Sequence, residues 1–215
     1  DRAVTGQVSL ESADLNEKNS FSLSGYISND RFDYYMESGF NYGNTAATLK
    51  WKHSFGRKLS AQFFAIMSNY DYQLTTKSDS TTYNNMYYDL NQKIIRTDFT
   101  YNPAANHRIE FGIDATSYSL LPGKQEPFGD YSDILPRELE KEQALEPSVY
   151  LSDEYEITPR LSISAGLRGT YYLYQGPQTE FLYYEDMPRT VETITDTVTY
   201  DSGELVKAYP GLEFR

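Results

Sequence analysis

The amino-acid sequence predicts an all-β fold, an antiparallel transmembrane β-barrel domain spread over residues 1–215 with about nine strands. Three observations carry that prediction. Apolar residues alternate with polar ones at period two along most of the chain, the mark of strands with two different faces. Many runs exceed the ~5–6 residues usual in globular sheets and match the ~9–11 needed to cross a bilayer while tilted. The connections alternate between short turns and long loops, as they do in bacterial outer-membrane barrels.

Taken in order, Val4, Gly6, Val8 and Leu10 alternate with Thr5, Gln7 and Ser9, giving a first strand near 4–12. Phe21, Leu23, Gly25 and Ile27 alternate mostly with serines in a second, near 19–31. Thr45 to Phe55 puts Leu49, Trp51 and Phe55 on one face and lysines on the other, near 44–55. Leu59 to Tyr72 carries apolar residues on both faces, and Met86 to Tyr101 becomes regular only from Ile95; these are read as strands near 59–73 and 86–101. Ile109, Phe111, Ile113 and Ala115 mark a strand near 107–119, and Val149 and Leu151 one near 147–157. Leu161, Ile163, Ala165 and Leu167 mark 161–174, and Val206 to Phe214 mark 206–215. Short turns fall near 55–58, 102–106 and 158–160, and long loops near 30–43, 74–85, 120–146 and 175–205. Residues 136–145 have helix-forming composition with Asp133 upstream as a cap, which predicts a short helix in the third long loop.

Composition narrows the function. The 215 residues carry a formal net charge of −12, a repulsive field for nucleic acid, so no nucleic-acid partner is expected. Cysteine is absent, which removes disulfides, thiolate zinc sites and cysteine nucleophiles. No apolar run approaches the ~18 residues of a spanning helix. Phosphate-cradling glycine loops, HExxH, GxSxG and EF-hand spacings are missing, and no cofactor is implied. His53 and His107 sit beside short turns and are read as surface or interfacial residues, and the acidic loop runs as solvated surface.

The sequence holds 21 Tyr and 11 Phe against one Trp. On the barrel reading, the faces of Phe21, Leu49, Ile113, Val149 and Leu167 meet membrane lipid, and the polar faces line a watery lumen. Aromatic rings gather at strand ends, where the headgroup layer suits them. Trp51, Phe55, Phe99, Tyr101 and Tyr155 lie toward the short turns; Tyr70, Tyr72, Tyr118, Tyr171 and Tyr174 lie toward the long loops. Asp153 falls on the lipid side by alternation, near the Thr158-Pro159 turn.

Leu145-Glu146-Pro147-Ser148-Val149-Tyr150-Leu151-Ser152-Asp153-Glu154-Tyr155, followed by Thr158-Pro159-Arg160 and a strand closing in Gly166-Leu167-Arg168, resembles the barrel hairpin of TonB-dependent receptors. The run from Gly43 to Phe55, the return through Ser68-Asn69-Tyr70-Asp71-Tyr72, and Ala208-Tyr209-Pro210-Gly211-Leu212-Glu213-Phe214-Arg215 are similar to further barrel strands of that family. The resemblance implies a middle section of a larger up-and-down barrel of about 22 strands, without the family's plug. It implies an outer-membrane receptor importing a scarce nutrient: an iron chelate, cobalamin, an oligosaccharide or a peptide. Partners implied are outer-membrane lipid, a TonB-type energy-coupling protein acting through the plug, and a surface lipoprotein over the loops. A ligand would then meet inward residues at the long-loop end, Tyr70, Tyr72, Tyr118, Tyr172 and Tyr174, with Arg96 and Arg168 deeper in the lumen. A competing structural reading has these side chains packing against the plug or each other. Two other functional readings stay open: a small closed barrel acting as anchor, adhesin or passive pore, and an outer-membrane hydrolase. The hydrolase would need histidine and carboxylates at one rim, and both histidines lie at the other end.

Overall fold

The computed structural model describes residues 2–11, 16–34, 37–77 and 79–215. Along the chain run β1 (Arg2–Glu11), β2 (Asn19–Tyr34), β3 (Ser38–Ser54), β4 (Leu59–Thr76), β5 (Asn84–Tyr101) and β6 (His107–Pro127). They are followed by β7 (Arg137–Glu138), β8 (Glu142–Thr158), β9 (Leu161–Gln175), β10 (Gln178–Tyr183), β11 (Ile194–Tyr200) and β12 (Leu205–Phe214). Nine strands form one antiparallel sheet in the order β1-β2-β3-β4-β5-β6-β8-β9-β12. β7 adds a short rung to β6, and β10 and β11 make a separate hairpin. No α-helix occurs among the described residues. Because β1 and β12 lie at opposite ends of that order, the sheet is open and is not a small closed barrel.

Chain-order neighbours pair because every other connection is a tight turn. Phe55 N donates to Leu59 O at 3.0 Å across one such turn, and Asn102 N donates to Lys58 O at 2.8 Å where two turns adjoin. The strands reach further toward the long-loop end than alternation predicts. The stretch expected as a loop over 30–43 is mostly ladder, with Arg31 opposite Asn41 and Tyr34 opposite Ser38. Between β4 and β5 the connection shrinks to 77–83 around a 3-10 turn at Ser80–Thr82. The loop expected over 175–205 contains the β10–β11 hairpin. The helix expected over 136–145 does not form: Arg137 pairs with Gln125, and Glu142 pairs with Leu120. Ladder hydrogen bonds to β6 override a local helix preference that is worth only tenths of a kcal/mol per residue. The predicted first strand ends at residue 12, outside the described residues.

The register gathers the apolar positions into rows. Leu23, Leu49, Ala65, Ile95, Ala115 and Pro147 stand opposite one another across six strands. Trp51, Phe63, Thr97, Ile113, Val149 and Gly169 form the next row toward the short turns. Nothing in the sheet covers them: Ile95 is 71% exposed and Ile113 61%, while among the described residues the buried apolar side chains are Ala61 and Ala144. A single layer with a continuous apolar face needs lipid as its second layer. Near the short turns this outward face carries a chain of rings. Trp51 stacks on Phe21 at 5.7 Å and on Phe63 at 4.7 Å, Phe63 meets Phe99 edge-on at 6.3 Å, and Phe99 stacks on Phe111 at 5.0 Å. His53 abuts Phe55 at 4.4 Å, and His107 stacks on Tyr155 at 4.2 Å. Tyr101 lies on the same face, opposite Leu59 and Ile109. Asp153, the charge out of place by alternation, is held there by His107 Nδ1 at 3.2 Å. Of the five rings toward the long loops, Tyr171 alone shares this outward parity; Tyr70, Tyr72, Tyr118 and Tyr174 face inward.

Candidate functional site

The inward face divides into a tyrosine-lined upper wall and a charged lower wall. Tyr42, Tyr72 and Tyr88 are direct cross-strand neighbours on β3, β4 and β5, with ring centroids 5.1 and 5.6 Å apart. Tyr70 stands one step deeper, between Asn44 and Leu90, and is exposed. A second group lies on β6, β8 and β9. Tyr118 and Tyr174 flank the buried Ala144, and the Tyr118 hydroxyl donates to Glu146 Oε2 at 3.0 Å. Tyr174 donates to Gln178 Oε1 at 2.7 Å, and Tyr172 faces Tyr209 at 6.3 Å. The five tyrosines read from sequence therefore occupy two places, Tyr70 and Tyr72 in one and Tyr118, Tyr172 and Tyr174 in the other.

Deeper, both arginines are tied to carboxylates of the sheet itself. Arg96 Nε lies 2.8 Å from both Asp98 oxygens, and the Tyr150 hydroxyl donates to Asp98 Oδ1 at 2.6 Å. Arg168 Nη2 donates to Asp114 Oδ1 at 3.1 Å, and Ser148 Oγ donates to the same oxygen at 2.6 Å. Gly112 makes the first of these possible. It lies between Asp98 and Tyr150 in the register, and a Cβ there would run into the Tyr150 ring and the Thr97 carbonyl. With only hydrogen on that face, the phenol of β8 crosses β6 to reach β5. Beside this lattice a hollow of about 330 Å³ opens among Arg96, Glu110, Tyr150, Arg168, Glu213 and Arg215.

Sequence reading missed Tyr42, Tyr88, Asp98, Asp114, Glu146 and Tyr150 as members of this wall. Their parity was available, since Asp98 is two residues from Arg96 and Tyr150 alternates with Val149 and Leu151. Their partners were not, because Tyr150 and Asp98 are 52 positions apart. Among the described residues no group of three or more His, Asp or Glu side chains is placed to hold a metal ion.

A family model described as TonB dependent receptor-like, beta-barrel, matches residues 2–200. The chain belongs to that family. Among solved structures it is similar to BauA, the ferric preacinetobactin receptor from Acinetobacter baumannii, with a TM-score of 0.60 at 12% identity. That match covers 80% of this chain and 34% of BauA, so the chain spans about a third of that receptor's length. Comparison with curated protein sequences finds no match.

Proposed function

We propose that the chain forms part of the wall of an outer-membrane receptor that takes up a scarce nutrient, with the long-loop end facing out of the cell. The observation that carries this reading is the inward placement of two tyrosine clusters at that end of a TonB-dependent receptor-like barrel. Energy would come from a TonB-type coupling protein acting through the plug, and a surface lipoprotein over the loops would be a further partner. Tyr70, Tyr72, Tyr118, Tyr172 and Tyr174 are the proposed ligand contacts: their rings stack and their hydroxyls hydrogen-bond. Arg168, matched by Asp114 of β6, acts in this reading as a cross-link of the lower wall, and Arg96, matched by Asp98 of its own strand, orients the carboxylate that Tyr150 reaches from β8. Trp51, Phe55, Phe99, Tyr101, Tyr155 and Tyr171 are the proposed interfacial rings.

Two paired arginines offer little to a bare anion, and the chain's net charge of −12 repels one. The reading therefore favours cargo with faces for rings to stack on: an iron chelate, cobalamin, an oligosaccharide or a peptide. A deletion strain grown on single iron, cobalamin, glycan and peptide sources tests it. One limitation should stop growth, and the intact gene should restore it where a Tyr72→Ala, Tyr118→Ala variant does not. Unimpaired growth under every limitation would refute uptake.

A further inference from the structure

The inward carboxylates of β5, β6 and β8 are not treated alike. Asp98 is matched by Arg96 at 2.8 Å and Asp114 by Arg168 at 3.1 Å. Glu146 stands one inward step above Ser148, toward the long loops, and has no ion pair among the described residues. Its Oε2 accepts a hydrogen bond from the Tyr118 hydroxyl, a neutral donor. A half-buried carboxylate without a countercharge is costly, and a cation is the ordinary remedy.

Exposed rings surround that carboxylate. Leu145 opposite Leu173 and Ser148 opposite Thr170 put Glu146 level with Tyr172 of β9. Tyr172 is 40% exposed and faces Tyr209 of β12, 49% exposed, at 6.3 Å. It also lies within electrostatic range of Tyr118 and Tyr174. One step below the Tyr172–Tyr209 pair, Gly211 stands opposite Thr170. A Cβ added at Gly211 would meet nothing closer than 3.8 Å, so the wall is bare beneath the two rings. From the rim, Glu142, Glu180 and Glu140 act through space on the Tyr174 hydroxyl. The chain already rests one ammonium on this group: Lys207, opposite Tyr174, holds its Nζ 5.2 Å from the centre of the Tyr209 ring.

We infer, on the reading that this wall meets cargo, that the tyrosine group of β6, β9 and β12 seats an ammonium group of the cargo beside Glu146. Ring faces attract a cation through their quadrupole, and a carboxylate at the same level supplies the opposite charge and a strong acceptor. An amino sugar and a peptide N-terminus present the same ammonium. The test titrates the complete receptor in lipid nanodiscs by saturation-transfer NMR at about pH 6, where both kinds of amine are protonated. The probes are two pairs: glycyl-phenylalanine amide with its N-acetyl form, and glucosamine with N-acetylglucosamine. At least one amine should bind about tenfold more tightly than its acetylated partner, and the pair that does so tells a peptide terminus from an amino sugar. Glu146→Gln keeps an acceptor for Tyr118 and should remove most of that preference. Tyr172→Leu should weaken the amine, and Ser24→Ala, inward on β2, should change neither probe; the heat-dependent gel shift shows that each variant is folded. Equal or absent binding within both pairs overturns the inference, and so does a Glu146→Gln receptor that keeps the full preference. An amine preference in a receptor whose deletion strain grows under every limitation supports the seat and refutes uptake. Uptake of an amine-free nutrient that Tyr72→Ala abolishes and Glu146→Gln leaves intact does the reverse.

Discussion

Val149 and Tyr150 are adjacent on β8 and live in different solvents. Val149 points outward, 57% exposed, into a row with Ile113 and Gly169. Tyr150 points inward, is half-buried, and gives its hydroxyl to Asp98 across an intervening strand. Lipid offers no hydrogen bonds, so the outward face succeeds by having nothing to satisfy. The inward face is wet but crowded, and Arg96 and Arg168 are placed against Asp98 and Asp114. The contrast teaches that the outward row tolerates shape changes and punishes charge, whereas the inward lattice tolerates charge and punishes a lost partner.

The most severe way to probe the contrast is to put a charge on the wrong side. Val149→Arg, in a central apolar row, should destabilise the folded barrel by about 2–4 kcal/mol. Leu167→Arg, one row nearer the short turns, should cost less, and Ser164→Arg on the inward face of the same strand should be nearly silent. Urea unfolding in lipid, followed by the heat-dependent gel shift, reads all three. Equal losses at Leu167 and Ser164 would overturn the assignment of faces.

Gly112→Ala attacks the inward face through shape instead. The added methyl meets the Tyr150 ring and the Thr97 carbonyl, for an expected cost of about 1–3 kcal/mol. Adding Tyr150→Ala should relieve only part of it, since the carbonyl contact remains. A single substitution that leaves the unfolding midpoint unchanged would remove Gly112 from the lattice.

These two substitutions also mark what a single sequence discloses. Val149, Ile113 and Leu49 declare their face because lipid demands an apolar residue at every second position, and the strands through the membrane were legible on that basis. Above Ile27 and Met67 the outward face meets water and carries Asn29, Arg31, Asp71 and Gln73. Backbone pairing continues beyond them, through Phe32 opposite Phe40 and Tyr34 opposite Ser38, while the alternation stops, so the ladder within 30–43 reads as loop. Glu138-Leu139-Glu140-Lys141-Glu142 composition pointed to a helix because it reports local preference and not the waiting edge of β6. The inward tyrosines and arginines were visible by parity. The pairings of Tyr118 with Glu146, Tyr150 with Asp98 and Arg168 with Asp114 were not, because register joins residues dozens of positions apart and no local pattern encodes it.

Separating charge from partnership is the next test. Arg168→Ala leaves Asp114, whose side chain is 12% exposed, with Ser148 alone, and should cost about 1–2 kcal/mol, reduced from a fully buried case by water near Arg168. Asp114→Ala in the same chain should recover part of that loss. A double-mutant cycle from unfolding midpoints measures the coupling. Strictly additive losses would show that the 3.1 Å pair holds nothing together.

The smallest expected effect falls on the upper wall, where stability and ligand contact can be told apart. Tyr118→Phe deletes the bond to Glu146 and keeps the ring, so stability should fall by no more than ~0.5–1.5 kcal/mol. If Tyr118 serves the cargo by stacking, uptake of the identified nutrient should survive in Tyr118→Phe and fail in Tyr118→Ala at equal surface expression. If instead the hydroxyl only braces β6 against β8, the two variants should lose similar stability and transport alike. The second pattern would take Tyr118 out of the proposed ligand contacts, and the matching pair at Tyr72, whose ring packs between Tyr42 and Tyr88, would then decide whether the β3–β5 cluster carries the site alone.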